Sequence, residues 1–390
     1  MEKKLNGNCC IERRSRHGMD SVVMRRGGLT EASVTVHING ERGLAALLEE
    51  ARAEVDALGL TVLRQNVFGT PAQHDLAPEL LRGIFGEVDW PVTWLEEGDS
   101  LGERLTGTHI YAVSGAEVRR LTHNGEVVGS TFADGFAEYC HLGSIVSRNL
   151  SGDRRQQAMD VFQRMEAALG IAGFDFRQVI RTWFYLDRIL DWYGDFNAVR
   201  TAFFEERGVF GGLVPASTGI GGGNRCGAAL VADALAVRRH DAGSGRIDIR
   251  EVPSPLQCPA LDYRSSFSRA VETAVADHRK LFVSGTASIA PDGNSARGAD
   301  VAGQVALTLD VVESILDSRG MGWPDVTRAI AYVKRGADAD AYHAELNRRG
   351  RGPLPAIVTE NDICRDELLF ELEVDAWQPQ REERYCQECS

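Results

Sequence analysis

The sequence predicts an α+β protein built from tandem units, each a mixed sheet backed by helices. Three observations predict it. In the second half, strand-like and helix-like segments run in the order strand, helix, strand, helix, strand, strand. The first half, from residue 159, follows the same order from its first helix onward. Matched residues also recur: Pro215-Ala216 answers Pro355-Ala356, and Cys226 precedes Asp233 by seven residues, as Cys364 precedes Glu371. Two halves with one grammar imply a duplicated domain, since the period is too long and the copies too few for a solenoid.

Residues 1–28 are charged and lack the apolar core of a signal peptide, which predicts a mobile, disordered tail. Residues 29–243 hold an α/β prelude followed by the first unit. In the prelude, ASVTVHI is strand-like, RGLAALLEEARAEVDALG is helical and LTVLRQNVFG is a second strand. The first unit continues with a helix over 159–173, a strand over 176–187, a helix over 191–208, and strands over 214–222 and 226–237. The second unit spans 244–378. Its HRKLFVSGTASI (278–289) reads as a strand ending in a Ser-Gly-Thr turn, and PDGNSARGAD is loop chemistry. A helix over 301–320 stops on Gly320. VTRAIAYVKR (326–335) alternates as a strand, DADAYHAELNRRG is a short helix, and LPAIVTE and NDICRDELLFELE (361–373) close the unit as strands. Residues 379–390 form a polar tail.

The 390 residues allow two ordinary domains. Hydrophobic content of 43% with 25% charge is that of a soluble globular chain, and the reading is cytoplasmic. A net charge of −13 excludes nucleic acid as a partner, because phosphate backbones need concentrated Lys and Arg. No apolar run is long enough to span a membrane. The eight cysteines read as free thiols. Cys386 and Cys389 have CxxC spacing, but zinc needs a second pair and only Cys9-Cys10 offers one, so no metal is expected. Gly219, Gly221, Gly222 and Gly223 lack the strand-to-helix setting of a nucleotide loop, so no cofactor is expected.

Glu371 is the leading candidate for chemistry. A carboxylate on a buried strand face is costly. Partial desolvation raises its pKa, which suits proton transfer near neutral pH, whereas a rim residue facing solvent would do nothing. Cys364 is either a thiol that adds to an activated carbon or a small buried hydrophobe. Ser284, Gly285 and Thr286 form a turn whose hydroxyls and amides suit a carbonyl, carboxylate or oxyanion, or simply a tight turn needing glycine. Tyr332 and Lys334 share one strand face, and Arg181, Trp183 and Tyr185 share another, where core packing explains the aromatics equally well. Tyr263 and Arg269, in the run leading into the second unit, complete the substrate-binding set with Trp183.

LFVSGTASI (281–289), Gln304, AYVKR (331–335) and DICRDELLFELE (362–373) resemble the Rid (YjgF) superfamily, and within it the chorismatase-like branch. RTWFYLDRI (181–189), NAVRTAFF (197–204) and PASTGIG (215–221) are similar to that branch too. The resemblance implies two tandem Rid/YjgF-like (chorismate-mutase-like) domains. It also implies three such domains packed around an axis, hence a homo-oligomer, a trimer foremost, with small-molecule pockets between neighbours. It assigns Glu371 the part of catalytic acid or base. It places at Cys364 the cysteine of those chorismatases that release an aromatic hydroxybenzoate.

The chain departs from that pattern in its cations. The run REVPSPLQCPALDYRSSFSRA (250–270) lacks the arginine of the branch's Glu-Asn-Pro-Arg-Gln stretch. The loop after SGTASI has no histidine, and Lys334 stands for an arginine. Ile357 and Ser217 occupy the place where imine deaminases need arginine, which excludes imine deamination. A dianion wants guanidinium forks, so a site short of them suggests a less charged substrate. The leading expectation is therefore a cyclase or aromatase of secondary metabolism, like the branch's carbazole-forming cyclase, with Glu371 moving protons during enolisation and dehydration. The alternatives are a chorismatase that converts chorismate to a hydroxybenzoate and pyruvate, and a non-enzymatic metabolite-binding module. Asp233, with Cys226, reads as a relic of the duplication.

Overall fold

Three six-stranded mixed sheets, each backed by helices, make up the described residues. The structure, a computed structural model, describes residues 9–16, 18–37, 43–98, 100, 106–240 and 245–380. The first unit comprises β1 (Cys10–Arg16), β2 (Met19–Arg26), β3 (Leu29–His37), α1 (Leu44–Ala57), β4 (Thr61–Gly69), α2 (Pro71–His74), α3 (Ala77–Phe85), β5 (Val92–Glu96) and β6 (Gly107–Ser114). The middle unit comprises β7 (Arg119–His123), β8 (Glu126–Ala133), β9 (Ala137–Val146), α4 (Arg154–Ile171), β10 (Val179–Leu186), α5 (Tyr193–Glu206), β11 (Ala216–Gly221) and β12 (Leu230–Arg239). The last unit comprises β13 (Asp248–Val252), β14 (Ala270–Ala274), β15 (His278–Ala287), α6 (Val301–Ser318), β16 (Val326–Val333), α7 (Ala339–Arg348), β17 (Ala356–Glu360) and β18 (Phe370–Pro379). The three sheets share one order: β1-β2-β3-β6-β4-β5, β7-β8-β9-β12-β10-β11 and β13-β14-β15-β18-β16-β17.

The two expected units are there, and the prelude is a third of the same topology. Residues 10–16 and 19–26, expected as part of a mobile tail, are strands β1 and β2. Met19 and Val23 close the first unit's core, and Arg13 Nη1 donates to the Val326 carbonyl at 2.5 Å. The run CIERRSR reads as a tail because β1 is a charged, half-exposed edge strand, and edge strands carry charge to block further pairing. The break inside the expected 29–243 domain falls between β6 and β7.

Each unit has its own apolar core between sheet and helices. The opposite sheet faces meet in a fourth core that takes Val113 from the first unit, Ile180 and Trp183 from the middle one, and Phe282 and Ile330 from the last. Three units thus pack around this shared core within one chain. Register supports the equivalence: Arg64, Arg181 and Arg328 follow the same irregularity in β4, β10 and β16, facing Tyr111, Leu235 and Asp375.

The closing segment 361–373 is only partly strand. β18 begins at Phe370, and the residues before it form a turn that Gln304 holds by side-chain bonds at 2.9 Å to the Glu367 carbonyl and the Leu369 amide. From there the expected alternation appears. Phe370, Leu372 and Val374 enter the last unit's core, leaving Glu371, Glu373 and Asp375 on the opposite face.

Candidate active site

The seam between β11 and β15 closes one cleft between the middle and last units. The Ser217 amide donates to Ser284 Oγ at 2.8 Å, and the Gly285 amide donates to Thr218 Oγ1 at 3.0 Å. The cleft beside this seam is lined by Glu371, Cys364, Arg200, Arg269, Arg365 and Tyr263, with Tyr193, Ser217, Gly285 and Phe267 completing the wall. Arg200 reaches it from α5, whose other inward residues Phe196, Val199, Phe203 and Phe204 fill the middle core. Its internal volume is about 40 Å³, room for roughly three waters. An open groove of about 800 Å³ lies alongside, and Tyr263 lines both spaces.

Glu371 is 4% exposed. Among the described residues none donates a hydrogen bond to its carboxyl. Burial and the neighbouring Glu373 push its pKa up to about 8, although Arg181 and Arg269 pull the other way. The group is therefore a neutral acid at pH 7. Burial, with Glu371 adding to it, pushes the Cys364 thiol up to about 12, so it remains a thiol and not a thiolate nucleophile. Burial likewise pushes Tyr263 up to about 12. Gly285 is where a side chain does not fit: a Cβ there would lie 2.0 Å from Glu371 Oε1.

Three guanidiniums line the cleft with this acid. Arg200 is 1% exposed, donates to Asn197 Oδ1 at 2.5 Å and leaves Nε without a partner among the described residues. Arg269 binds the Cys258 carbonyl through Nε and Nη2 at 3.0 and 2.8 Å and stacks over Tyr263 at 5.3 Å. Arg365 holds the Gly293 carbonyl at 3.0 Å and also faces Tyr263, at 5.4 Å. The expectation of a cleft short of cations is therefore corrected. Arg269, from the run that lacks the branch's arginine, is joined there by Arg200 from α5 and Arg365 from the turn before β18, a meeting that only the fold brings about. Arg200 left one signal in the sequence: a lone cation at core spacing on the helix 191–208.

The other predicted site residues are placed elsewhere. Ser284 is fully buried, accepts the Ser217 amide at 2.8 Å and donates to the Ser268 carbonyl at 2.6 Å, so its hydroxyl staples the two units and does not face the cleft. Thr286 is buried and donates to the Ser284 carbonyl at 2.9 Å. Tyr332 stands beside Glu371 in the sheet but is completely covered in the central core. Trp183 lies in that core too, its Nε1 donating to Glu373 at 3.0 Å under the guanidiniums of Arg64 and Arg181. Lys334 pairs with Asp366 at 2.7 Å, outside the cleft. These residues share strands with site residues, but the bulge and the strand ends set which side chains reach the opening.

Register also corrects the pairing of Asp233 with Glu371. Asp233 faces Trp183 as Glu373 faces Ile330. The two carboxylates have one structural duty. Thr93 Oγ1 donates to Asp233 at 2.5 Å and accepts the Ser144 amide at 2.9 Å, while Thr218 Oγ1 donates to Glu373 and accepts the Gly285 amide. Asp233 accepts further bonds from Asn66 Nδ2 and the Ser144 amide. Burial raises the Glu373 carboxyl, but Arg328 and Arg181 outweigh it and hold the group below its ordinary value. Arg328 approaches it at 2.6 Å as an ion pair poorly angled for a hydrogen bond. The residue at the Glu371 place in the middle unit is Val231, which faces Tyr185 and Val146 as Glu371 faces Tyr332 and Ala287.

Among the described residues no group of three or more His, Cys, Asp or Glu could hold a metal ion, and no helix is long and apolar enough to cross a membrane. Cys386 and Cys389 lie outside the described residues.

No family model matches the chain. A chorismatase from Streptomyces hygroscopicus is 29% identical over 216 residues, covering 50% of this chain and 60% of that protein. A chorismatase from Streptomyces rapamycinicus is 28% identical over 228 residues, covering 53% of this chain and 65% of that one. The matched stretch thus spans less than two thirds of each of these relatives. A chorismatase crystal structure aligns over 89% of this chain and 98% of its own, at 20% identity and a TM-score of 0.61, which shows a shared fold.

Proposed function

We propose that this chain, a member of the chorismatase-like branch of the Rid superfamily, cleaves the enol-pyruvyl ether of chorismate. One observation carries the reading: three arginines and one neutral carboxyl group line a single small cleft. Guanidinium forks match carboxylates, and chorismate brings two. An enol ether is cleaved by protonating its methylene carbon, which asks for an acid that still holds its proton at neutral pH.

Glu371 gives that proton, and positive charge develops on the ether carbon. Water adds there, and the hemiketal collapses to pyruvate and a ring hydroxyl. The proton lost by the water returns to Glu371. Loss of one water from the ring diol then yields a hydroxybenzoate. Cys364, a neutral thiol in the wall, shapes the space beside the ring. The closed volume is far smaller than the substrate, and about half of the lining lies outside strands and helices. The segment that yields on binding is the loop carrying Tyr263, Ser265 and Phe267, which separates the cleft from the outer groove. The ring-closing reading rested on a cleft poor in cations and loses that basis.

The test is pyruvate release from chorismate by the purified protein, followed by a coupled assay. Release is expected, with Glu371→Gln about 10²- to 10⁴-fold slower. A folded wild-type protein that releases none overturns the proposal.

A further inference from the structure

The seam between the first and middle units encloses a counterpart of this cleft, and it differs in size and chemistry. Its volume is about 540 Å³, within the range of small-molecule sites. Val92 and Trp94 stand where Ser217 and Gly219 line the other cleft, and Ser144 and Val146 where Gly285 and Ala287 do. Val231 stands where Glu371 does, so this cleft has no counterpart of that buried acid.

Its walls are apolar and aromatic. Val92, Val146, Val231 and Leu81 face it beside the Trp94 indole, which stacks on the His74 ring at 4.7 Å and 12°. Trp94 is 9% exposed, and its Nε1 has no partner among the described residues. Glu96 holds His74 Nδ1 at 2.7 Å, and burial lowers the His74 pKa, so the ring is neutral at pH 7. The rim carries Arg82 and Arg225 against Glu87, and Arg225 has no ion-pair partner among the described residues. An apolar chamber with an aromatic floor and one surplus cation at its mouth selects a flat, weakly anionic molecule.

We propose that this cleft is a second small-molecule site, taking a flat aromatic ligand with at most one negative charge and performing no proton chemistry on it. The inference rests on this cleft alone and stands whether or not chorismate is the substrate of the other.

The test is titration of the whole protein with 8-anilinonaphthalene-1-sulfonate, read by dye fluorescence and, for stoichiometry, by native mass spectrometry. One bound dye per chain is expected, and Glu371→Gln keeps it. Val88→Trp, on the partly exposed rim, fills the mouth and abolishes binding. Arg225→Glu alters an exposed, unpaired side chain without disturbing the fold and weakens binding about fivefold. Absence of binding, or binding that both rim variants leave unchanged, overturns the proposal.

Discussion

Replacing Glu371 by glutamine should make the folded protein less sensitive to alkali. The side chain is 4% exposed, and burial with the nearby Glu373 lifts its pKa from 4.5 to about 8. In the unfolded chain the group returns to its ordinary value. Between those two pH values the folded chain holds a proton that the unfolded chain has released. Linkage then requires stability to fall as pH rises through that window, with no further loss from this group above about 8. Each pH unit is worth about 1.4 kcal/mol, which caps the loss at about 5 kcal/mol. The shift to about 8 already includes the two opposing arginines, so about 4 kcal/mol of this loss is expected between pH 5 and pH 9. Glutamine is neutral throughout and close in shape. Urea unfolding of wild type and Glu371→Gln at pH 5 and pH 9 isolates the effect, because every other titrating group cancels in the double difference. The variant should gain about 4 kcal/mol on wild type between the two pH values. Parallel stability curves would refute the reasoning, and so would a carbon-13 carboxyl titration placing Glu371 near 4.5.

The same proton shapes the reaction: kcat/KM should fall above about pH 8, the point where Glu371 loses its acid form, as a pH–rate profile would reveal. Gly285→Ala puts a methyl 2.0 Å from Glu371 Oε1, the mobile end of a side chain, so it should cost only about 1 kcal/mol of stability while displacing the acid and slowing turnover about 10²-fold. Asp233→Asn removes a buried charge held by Thr93, Asn66 and the Ser144 amide, and should cost about 3 kcal/mol in urea unfolding while leaving turnover by the folded protein unchanged. Arg269→Lys keeps the charge but not the fork over Tyr263, and should raise KM about tenfold with kcat nearly intact.

Much of the fold was legible because periodicity is local. The helices over 159–173 and 301–320 and the strands around Arg181 and Ala331 all appear within a few residues of their expected places. The opening hairpin was not legible, since an edge strand such as CIERRSR carries the charges of a tail. Glu371 was legible as a carboxylate in an apolar run. Cys364, Gly285, Arg269 and Tyr263 also reach its cleft, whereas Ser284, Thr286, Tyr332, Trp183 and Lys334 do not. Arg200 and Arg365 were missed, because their relation to Glu371 crosses unit boundaries and chain turns.

What the sequence determined by itself is the unit: its order of strands and helices, its apolar faces and Glu371 as a carboxylate in an apolar run. These depend on neighbours within a few residues along the chain. The tertiary structure alone decided that there are three units in a ring, which carboxylates face inward as struts, and which cations meet the acid. Register is the physical reason. A seven-residue spacing pairs Asp233 with Glu371, yet the irregularities in β10 and β16 align Asp233 with Glu373 and put Val231 in the acid's place. A shift of two residues in a strand keeps the same face but moves the side chain along it by nearly 7 Å, enough to separate an acid in a cleft from a strut in a core.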